Sequence, residues 1–196
     1  VKLTVDTLRL DAGSTMRGDE LLLVADTVQV ALGATMDFSN AVTSGPGNGA
    51  VRLTGGTGGG HAGRGGQADS SASATTGAFY GHLELPTLSG SSGGNTYPGK
   101  GGGVLRIQCQ GEVRIDGVVD ASGGNAPVYL ADRSIGAGGG SGGSILIEAG
   151  LISGAGVLKS GGGNGLTSIS GGGSGGRISL HTSVDKACVQ ERDCPG

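Results

Sequence analysis

The stretch that decides the fold is Val5–Met16, VDTLRLDAGSTM, because it recurs at Ala25–Met36 as ADTVQVALGATM. The matching residues, an Asp–Thr pair and a Gly-x-Thr-Met turn, lie 20 residues apart. Each copy alternates apolar and polar residues and ends in a glycine-containing turn, which is typical of a β-strand followed by a corner. A strand and corner repeated at a fixed interval predict stacked parallel strands.

In such a stack Leu8 lies beside Val28 and Leu10 beside Val30, with both pairs facing inward.

Two more repeats extend the pattern. GGGSGGSILI (Gly138–Ile147) returns as GGGSGGRISL (Gly171–Leu180), shifted by 33, and GEVRIDGVVDASGGN (Gly111–Asn125) resembles GLISGAGVLKSGGGN (Gly150–Asn164), shifted by 39. Shifts near 20 and 40 indicate a coil of about 20 residues taken once or twice, and the shift of 33 indicates that coil length varies.

Short apolar segments bounded by Gly, Ser, Asn or Asp run along the chain, and none sustains a helical period. We therefore predict an all-β, right-handed parallel β-helix with glycine-rich corners and loops and little or no helix. It is expected to form one domain over residues 1–184, with regular coils in 1–44, glycine-rich coils in 45–184 and a Cys-containing tail in 185–196. The segments are LTVDTLRL, ELLLVADTVQVAL, AVRL, HLEL, GVLRIQC, EVRIDGVVDAS, GSILIEAGLIS, GVLKS and GRISLHT.

Glycine makes up 46 of the 196 residues, and only three glycines fall in residues 1–44. The runs GTGGGHAGRGG, GAGGGSGGS and SGGGSGGR have two interpretations. They are either flexible linkers or ordered, polyproline-II-like segments that pack closely because no side chains intervene. GGGSGG precedes two strands in the same register, which favours order. Ordered packing predicts that Gly142 and Gly175 leave no room for a Cβ.

Charge and aromatic content argue against several partners. The net charge is −3, Trp is absent and aromatic residues are 3% of the chain, so we expect no nucleic-acid partner. The longest apolar run, Leu21–Ala25, is far shorter than the roughly 20 residues of a membrane span, so no membrane insertion is expected. The Gly99–Lys100 pair is followed by Gly, not by Ser or Thr as in a phosphate-binding loop. We expect no cofactor.

Candidate catalytic and metal-binding residues are sparse. Asp116 and Asp120 are the best pair for general acid–base chemistry, although corner caps are the preferred interpretation. Ser141 and Ser174 are each followed by a strand, whereas a nucleophile elbow needs a strand before the Ser and a helix after it. The three histidines lack the close spacing of a zinc site. They are His61, His82 and His181. Carboxylates that could hold an isolated calcium, with a solvated turn as the preferred interpretation, are Asp116, Asp120, Asp132 and Asp193.

The cysteines indicate an oxidising compartment. Cys188 and Cys194 lie in the polar tail CVQERDC, where a disulfide-closed loop is favoured over free thiols. Cys109 is left over, and a buried small hydrophobe is favoured over an intermolecular bridge. The sequence enters its repeat pattern directly at Val1, so we expect a processed protein or part of a longer one.

GGGSGGSILI and GVLKSGGGN resemble the glycine-rich β-solenoid repeats of large secreted and cell-surface proteins. The resemblance covers residues 101–180 well and 45–100 loosely, while 1–44 match as generic β-helix coils. It implies an extracellular structural or adhesive role and carries over no catalytic residue.

We therefore predict a non-enzymatic, extracellular subunit of a fibre, sheath, wall or surface appendage. The given sequence opens on LTVDTLRL without an amphipathic helix, so we expect an uncapped parallel edge, which would favour stacking on a further copy. The alternatives are an adhesin or carbohydrate-binding module, with polysaccharide or surface matrix as partner, and a β-helix polysaccharide lyase or hydrolase. Residues 70–76 and 89–92 are candidate O-glycan acceptors, with a plain solvated loop as the preferred interpretation.

Overall fold

The computed structural model describes residues 1–51, 55–68, 76–128 and 136–182. Across these ranges the protein is all-β and no helix forms, as the missing helical period predicts. HLEL (82–85) was expected to be a strand, and that prediction is wrong because the segment lies outside every strand. The strands are β1 (Lys2–Leu10), β2 (Thr15–Arg17), β3 (Glu20–Val30), β4 (Thr35–Asp37), β5 (Val104–Cys109), β6 (Glu112–Ile115), β7 (Val118–Asp120), β8 (Ser144–Ala149), β9 (Leu151–Ser153), β10 (Val157–Lys159) and β11 (Arg177–Thr182).

These strands form two sheets in which every strand pairing is parallel. The first sheet has the order β11-β8-β5-β3-β6-β9, with β1 also paired to β3, and the second has the order β10-β7-β4-β2. The long strand β3 pairs with β5 through its first half and with β6 through its second half. A strand of the regular N-terminal part therefore joins directly to strands of the glycine-rich part.

The strand registers confirm the three sequence repeats. Each repeat places equivalent residues beside each other in a parallel ladder, so the repeat length is the length of chain between paired strands. The pairs are Thr7 with Thr27 for the shift of 20, Val118 with Val157 for the shift of 39, and Ser144 with Arg177 for the shift of 33.

One buried cluster forms the hydrophobic core, and both sheets contribute to it. Leu8 lies opposite Val28 and Leu10 opposite Val30, which confirms the predicted inward pairs. Val28 and Val30 are fully buried, whereas Leu8 and Leu10 are half-buried against the same cluster. The burial of the inward-facing residues thus decreases toward β1.

The repeated Asp–Thr pair marks a shift in the inward alternation. Along β3 the buried residues fall on every second position until Ala25 and resume at Val28, because Asp26 and Thr27 both face solvent. β1 shows the same double outward step at Asp6–Thr7. The repeated glycine turns also coincide, since Gly13 and Gly33 have φ values of 83° and 82°, a conformation that glycine adopts without steric strain.

The glycine runs are ordered, as predicted. Segments from residues 56–66, 90–103, 123–124, 136–143 and 161–176 donate backbone hydrogen bonds to one another, and we call this assembly the glycine bundle. The N–H of Gly139 donates to Gly171 O (2.9 Å), and that of Gly171 donates to Gly56 O (3.0 Å). A linker would leave these groups to water, so the bundle is a packed part of the fold.

Close backbone approach explains why the bundle needs glycine. A Cβ added to Gly142 would overlap the carbonyl oxygen of Ser160 and lie 2.6 Å from the N atom of Gly176. The matching prediction for Gly175 is wrong. That residue is exposed, and the nearest atom to an added Cβ is Ser160 O at 3.9 Å.

Candidate functional site

The described residues present three surface features and one set of corner carboxylates as candidate sites. The first feature is an open groove of about 560 Å³ on the outer face of the first sheet. Gln108, Glu148 and His181 occupy one row across β5, β8 and β11, and Gln108 Nε2 donates to Glu148 Oε2 (3.3 Å). Glu148 is the sole carboxylate among the described lining residues. The row therefore offers hydrogen-bonding groups without the carboxylate pair of a glycosidase.

The second feature is the edge formed by β1 and β2. Among the described residues β1 pairs with β3 alone and β2 with β4 alone. A depression of about 500 Å³ opens between the sheets at this end, lined in part by Leu3, Met16 and Phe38. The edge thus combines unpaired backbone groups with accessible apolar side chains.

The third feature is the segment of residues 79–89, which we call the strap. It crosses the outer face of the first sheet, where Ser144 Oγ donates to Leu88 O (2.6 Å) and Ser179 Oγ donates to Glu84 O (2.8 Å). His181 Nε2 also donates to Glu84 O (2.9 Å). Leu146 lies between these anchors, two residues after Ser144 on β8 and opposite Ser179 on β11. It is fully buried although it faces outward.

The strap is joined to the glycine bundle through Tyr80. The Tyr80 ring stacks on the His61 ring with a centroid distance of 4.8 Å, and the Tyr80 hydroxyl donates to Ser89 O (2.6 Å). Arg177, the first residue of β11, is buried next to this pair, and its Nη1 atom has no hydrogen-bond partner within the described part of the chain. Tyr80 and Arg177 carry no signal in the sequence, because no local pattern places them beside His61.

The histidines proposed as poor metal ligands lie apart. His61 is buried in the bundle, His82 is exposed on the strap and His181 lies on β11. No group of three or more His, Cys, Asp or Glu side chains suited to a metal occurs among the described residues. The candidates Asp132 and Asp193 lie outside those residues.

The two serines act as backbone partners within the bundle. Ser141 Oγ accepts from Ser91 N (2.7 Å) and donates to Gly60 O (3.1 Å). Ser174 Oγ accepts from His61 N (2.9 Å). Each hydroxyl thus ties two glycine-rich segments together.

Cys109 is a buried thiol on β5, as predicted. Its Sγ donates to Asp26 O (3.2 Å), and burial raises the pKa of the thiol above its usual range. A thiol in this state is a weak nucleophile. Cys188 and Cys194, the predicted disulfide, lie outside the described residues, as do residues 70–75 of the first candidate O-glycan cluster.

The carboxylates of the second sheet and its corners cap backbone groups. Asp120 Oδ1 accepts from Ser122 N (2.8 Å), and Asp37, its register partner, accepts from both N and Oγ of Ser39 (3.1 and 2.6 Å). Asp116 bonds to Arg114 Nε (2.7 Å) and accepts from Ala155 N (3.2 Å). These contacts agree with the corner-cap interpretation of Asp116 and Asp120.

The caps predict an acid-labile contribution to stability. The hydrogen bond from Ser39 Oγ holds the pKa of Asp37 below its usual range. Because the folded-state pKa is lowered, the contribution is present above the unfolded pKa of about 3.9 and is lost as pH falls through the folded value. We expect the melting temperature of Asp37→Asn to fall less than that of the parent between about pH 5 and about pH 2. Asp11→Asn, at an exposed carboxylate, is the control, and an unchanged slope in Asp37→Asn would contradict the assignment.

Across the described residues no helix is long and apolar enough to span a bilayer. Comparison of the chain with protein-family models, with curated proteins and with solved structures found no match.

Proposed function

We propose that this chain is an extracellular structural protein, a right-handed parallel β-helix that contributes to a fibre, sheath, wall or surface appendage by associating end to end with further copies. The order of the strands supports the coil. Strands of the first and second sheets alternate as β1–β2 and β3–β4, and each pairs in parallel with its equivalent in the next repeat. A chain that winds through both sheets produces this order.

The open edge at β1 carries the proposal. The N–H of Leu22 donates to Val1 O (2.9 Å) while Lys2 stands opposite Leu22, so the N–H of Leu3 faces β3. By alternation along the ladder, the N–H groups of Lys2 and Thr4 face away from it. Such an edge templates the addition of another strand.

The far end of the first sheet offers a matching surface. Ile178 and Leu180 on β11 continue the inward rows of Ile145 and Ile147. The two β8 residues are fully buried, whereas the two β11 residues are 41% and 45% exposed. Both ends thus expose apolar residues at alternate positions of a parallel strand.

Contact between these two different ends is heterologous, and repetition of a heterologous contact that does not close produces a filament. The pairing adds backbone hydrogen bonds along the edge and buries the half-exposed apolar residues of both ends. The polar tail with Cys188 and Cys194, if disulfide-closed, favours a location outside the cell.

Thr4→Pro tests the edge. Proline removes the outward N–H of an exposed edge residue and is tolerated at sheet edges, so the monomer should fold while self-association weakens by about fivefold or more. Sedimentation velocity over a wide concentration range measures the association, and negative-stain microscopy shows its products. Thr4→Val is the matched control because it keeps the N–H and a β-branched side chain.

A parent chain that stays monomeric at every concentration would refute end-to-end assembly. Assembly of Thr4→Pro at the parental strength would show that the β1 edge is not the contact.

A further inference from the structure

We propose that the strap is an acid-sensitive cover: mild acid releases residues 79–89 from the first sheet and uncovers the outward-facing side chain of Leu146. Acid release of the strap regulates this face and does not depend on end-to-end assembly. It rests on the buried group to which the strap is docked.

His61 is held in one neutral tautomer. Its side chain is buried, and Nδ1 lies 2.7 Å from Gly142 O. A carbonyl oxygen can only accept, so Nδ1 carries the proton and Nε2 has the lone pair. The strap contacts both the backbone and the ring of this residue, because Tyr80 N donates to His61 O (3.0 Å) and the Tyr80 ring stacks on the imidazole.

The Nε2 atom of His61 lies near the cationic side chain of Arg177. A methyl carbon built on Gly81 would lie 3.7 Å from His61 Nε2 and 3.4 Å from Arg177 Nη1, so both nitrogens flank the strap at this glycine. Arg177 is 9% exposed, and no ion pair to it occurs among the described residues. A proton added at Nε2 would therefore place a second buried positive charge beside the first.

The groups facing His61 leave that second charge uncompensated. Among the described residues the titratable side chains that face it are Tyr80 on the strap and Arg177 on β11. Stacking on Tyr80 favours a cation, and Gly142 O already accepts from Nδ1. Burial and the Arg177 charge outweigh these contacts, because together they lower the pKa of His61 below its usual range.

The sign of the pH effect follows from this shift. Release exposes His61 to water, where its pKa returns to about 6.5. The released form therefore binds more protons than the docked form, and the docked form loses stability as pH falls from about 6.5 toward the lowered pKa. The ratio of released to docked strap should rise by up to about tenfold per pH unit across that interval.

Release has a defined structural result. The anchors at Glu84 and Leu88 are three side-chain hydrogen bonds: Glu84 O accepts from Ser179 and His181, and Leu88 O accepts from Ser144. Each contributes modestly, so they hold the strap weakly once the Tyr80 stack is lost. The sheet beneath keeps its ladder hydrogen bonds and its inward core. The newly exposed surface carries Leu146, and the strap itself carries Leu83 and Leu85, which are already exposed.

The experiment follows binding of an apolar fluorescent dye to the full chain from about pH 7.5 to about pH 5. Far-ultraviolet circular dichroism runs in parallel to show that the sheets persist. We expect dye binding to rise within this range while the β spectrum stays constant. In the same samples, NMR titration of the His61 ring should give the midpoint of the rise.

Three variants separate protonation from simple loss of packing. His61→Gln keeps a donor to Gly142 O but cannot become charged, so it should lose the pH-dependent rise. Arg177→Gln removes the neighbouring charge, so the midpoint of the rise in dye binding should move to lower pH. His82→Gln, at an exposed strap histidine, should behave as the parent. Three outcomes would each overturn the proposal. The first is a parent chain whose dye binding does not rise before the sheets are lost, and the second is a rise in dye binding that persists in His61→Gln. The third is a His61 ring that titrates outside the pH range of the rise.

Discussion

Gly142→Val is expected to destabilise the fold by about 3 kcal/mol or more, and Gly142→Ala by somewhat less. The reason is backbone contact. An added Cβ overlaps Ser160 O and crowds Gly176 N, and both atoms belong to hydrogen-bonded segments of the glycine bundle. A backbone atom cannot rotate away as a side chain can, so the segments must separate. Chemical denaturation of the two variants measures the loss.

The matched control lies in the equivalent run. Gly175 occupies the place in GGGSGG that Gly142 occupies in the earlier copy, yet an added Cβ there meets nothing closer than 3.9 Å. Gly175→Ala should therefore be neutral or slightly stabilising, because Ala reduces the entropy of the unfolded chain. Equal effects at Gly142 and Gly175 would refute the close packing of the bundle.

Val30→Asp is expected to cost about 4 kcal/mol or more at neutral pH, because Val30 is fully buried in the core cluster and a lone carboxylate there has no partner. Burial raises the pKa of the introduced carboxyl in the folded state. The folded variant then binds more protons than the unfolded one. Its deficit relative to the parent should therefore shrink as pH falls from neutral toward about 4.

Leu10→Asp gives the comparison along the same row. Leu10 stands opposite Val30 but is half-buried at the edge strand, so its carboxylate keeps contact with water and the expected cost is roughly 2 kcal/mol. Urea titrations of both variants at two pH values give the two costs. A cost at Leu10 equal to that at Val30 would mean that the β1 edge is covered in solution.

The parallel sheets were predictable because the repeat consists of residues that determine strand and turn structure locally. Leu8, Leu10, Val28 and Val30 alternate with polar neighbours, and a glycine at a fixed distance closes each copy. Repeat length then gives the register of the strand pairs that belong to one repeat, such as β1 with β3, but not the pairing of β3 with β5, which no repeat relates. The strand prediction for HLEL was wrong because its alternation of apolar and polar residues fits a strand pattern, whereas in the structure those residues belong to the strap.

The glycine bundle was predictable in part. The recurrence of GGGSGG before two strands indicated order, but it gave no means of separating Gly142 from Gly175. That difference depends on which segments lie on the outside of the bundle, a property of the whole assembly. Positive φ explains none of the described bundle glycines, since the described glycines with positive φ lie outside the bundle, at Gly13, Gly33, Gly81 and Gly154.

The strap and its docking site were not predictable from local pattern. His61, Tyr80 and Arg177 come from the bundle, the strap and β11, and their meeting depends on pairings across more than a hundred residues. Arg177 stands at the start of a strand segment that reads as ordinary sheet. Its burial became evident only with the strap in place.

Packing by backbone alone changes how this protein can vary. In a core of side chains, a larger residue at one position is offset by a smaller one beside it, so paired substitutions can drift together. Around Gly142 the neighbours are a carbonyl oxygen and an amide nitrogen, which no substitution makes smaller. A second substitution therefore cannot compensate for a larger residue at such a position. The bundle must keep glycine there or lose the contact between its segments.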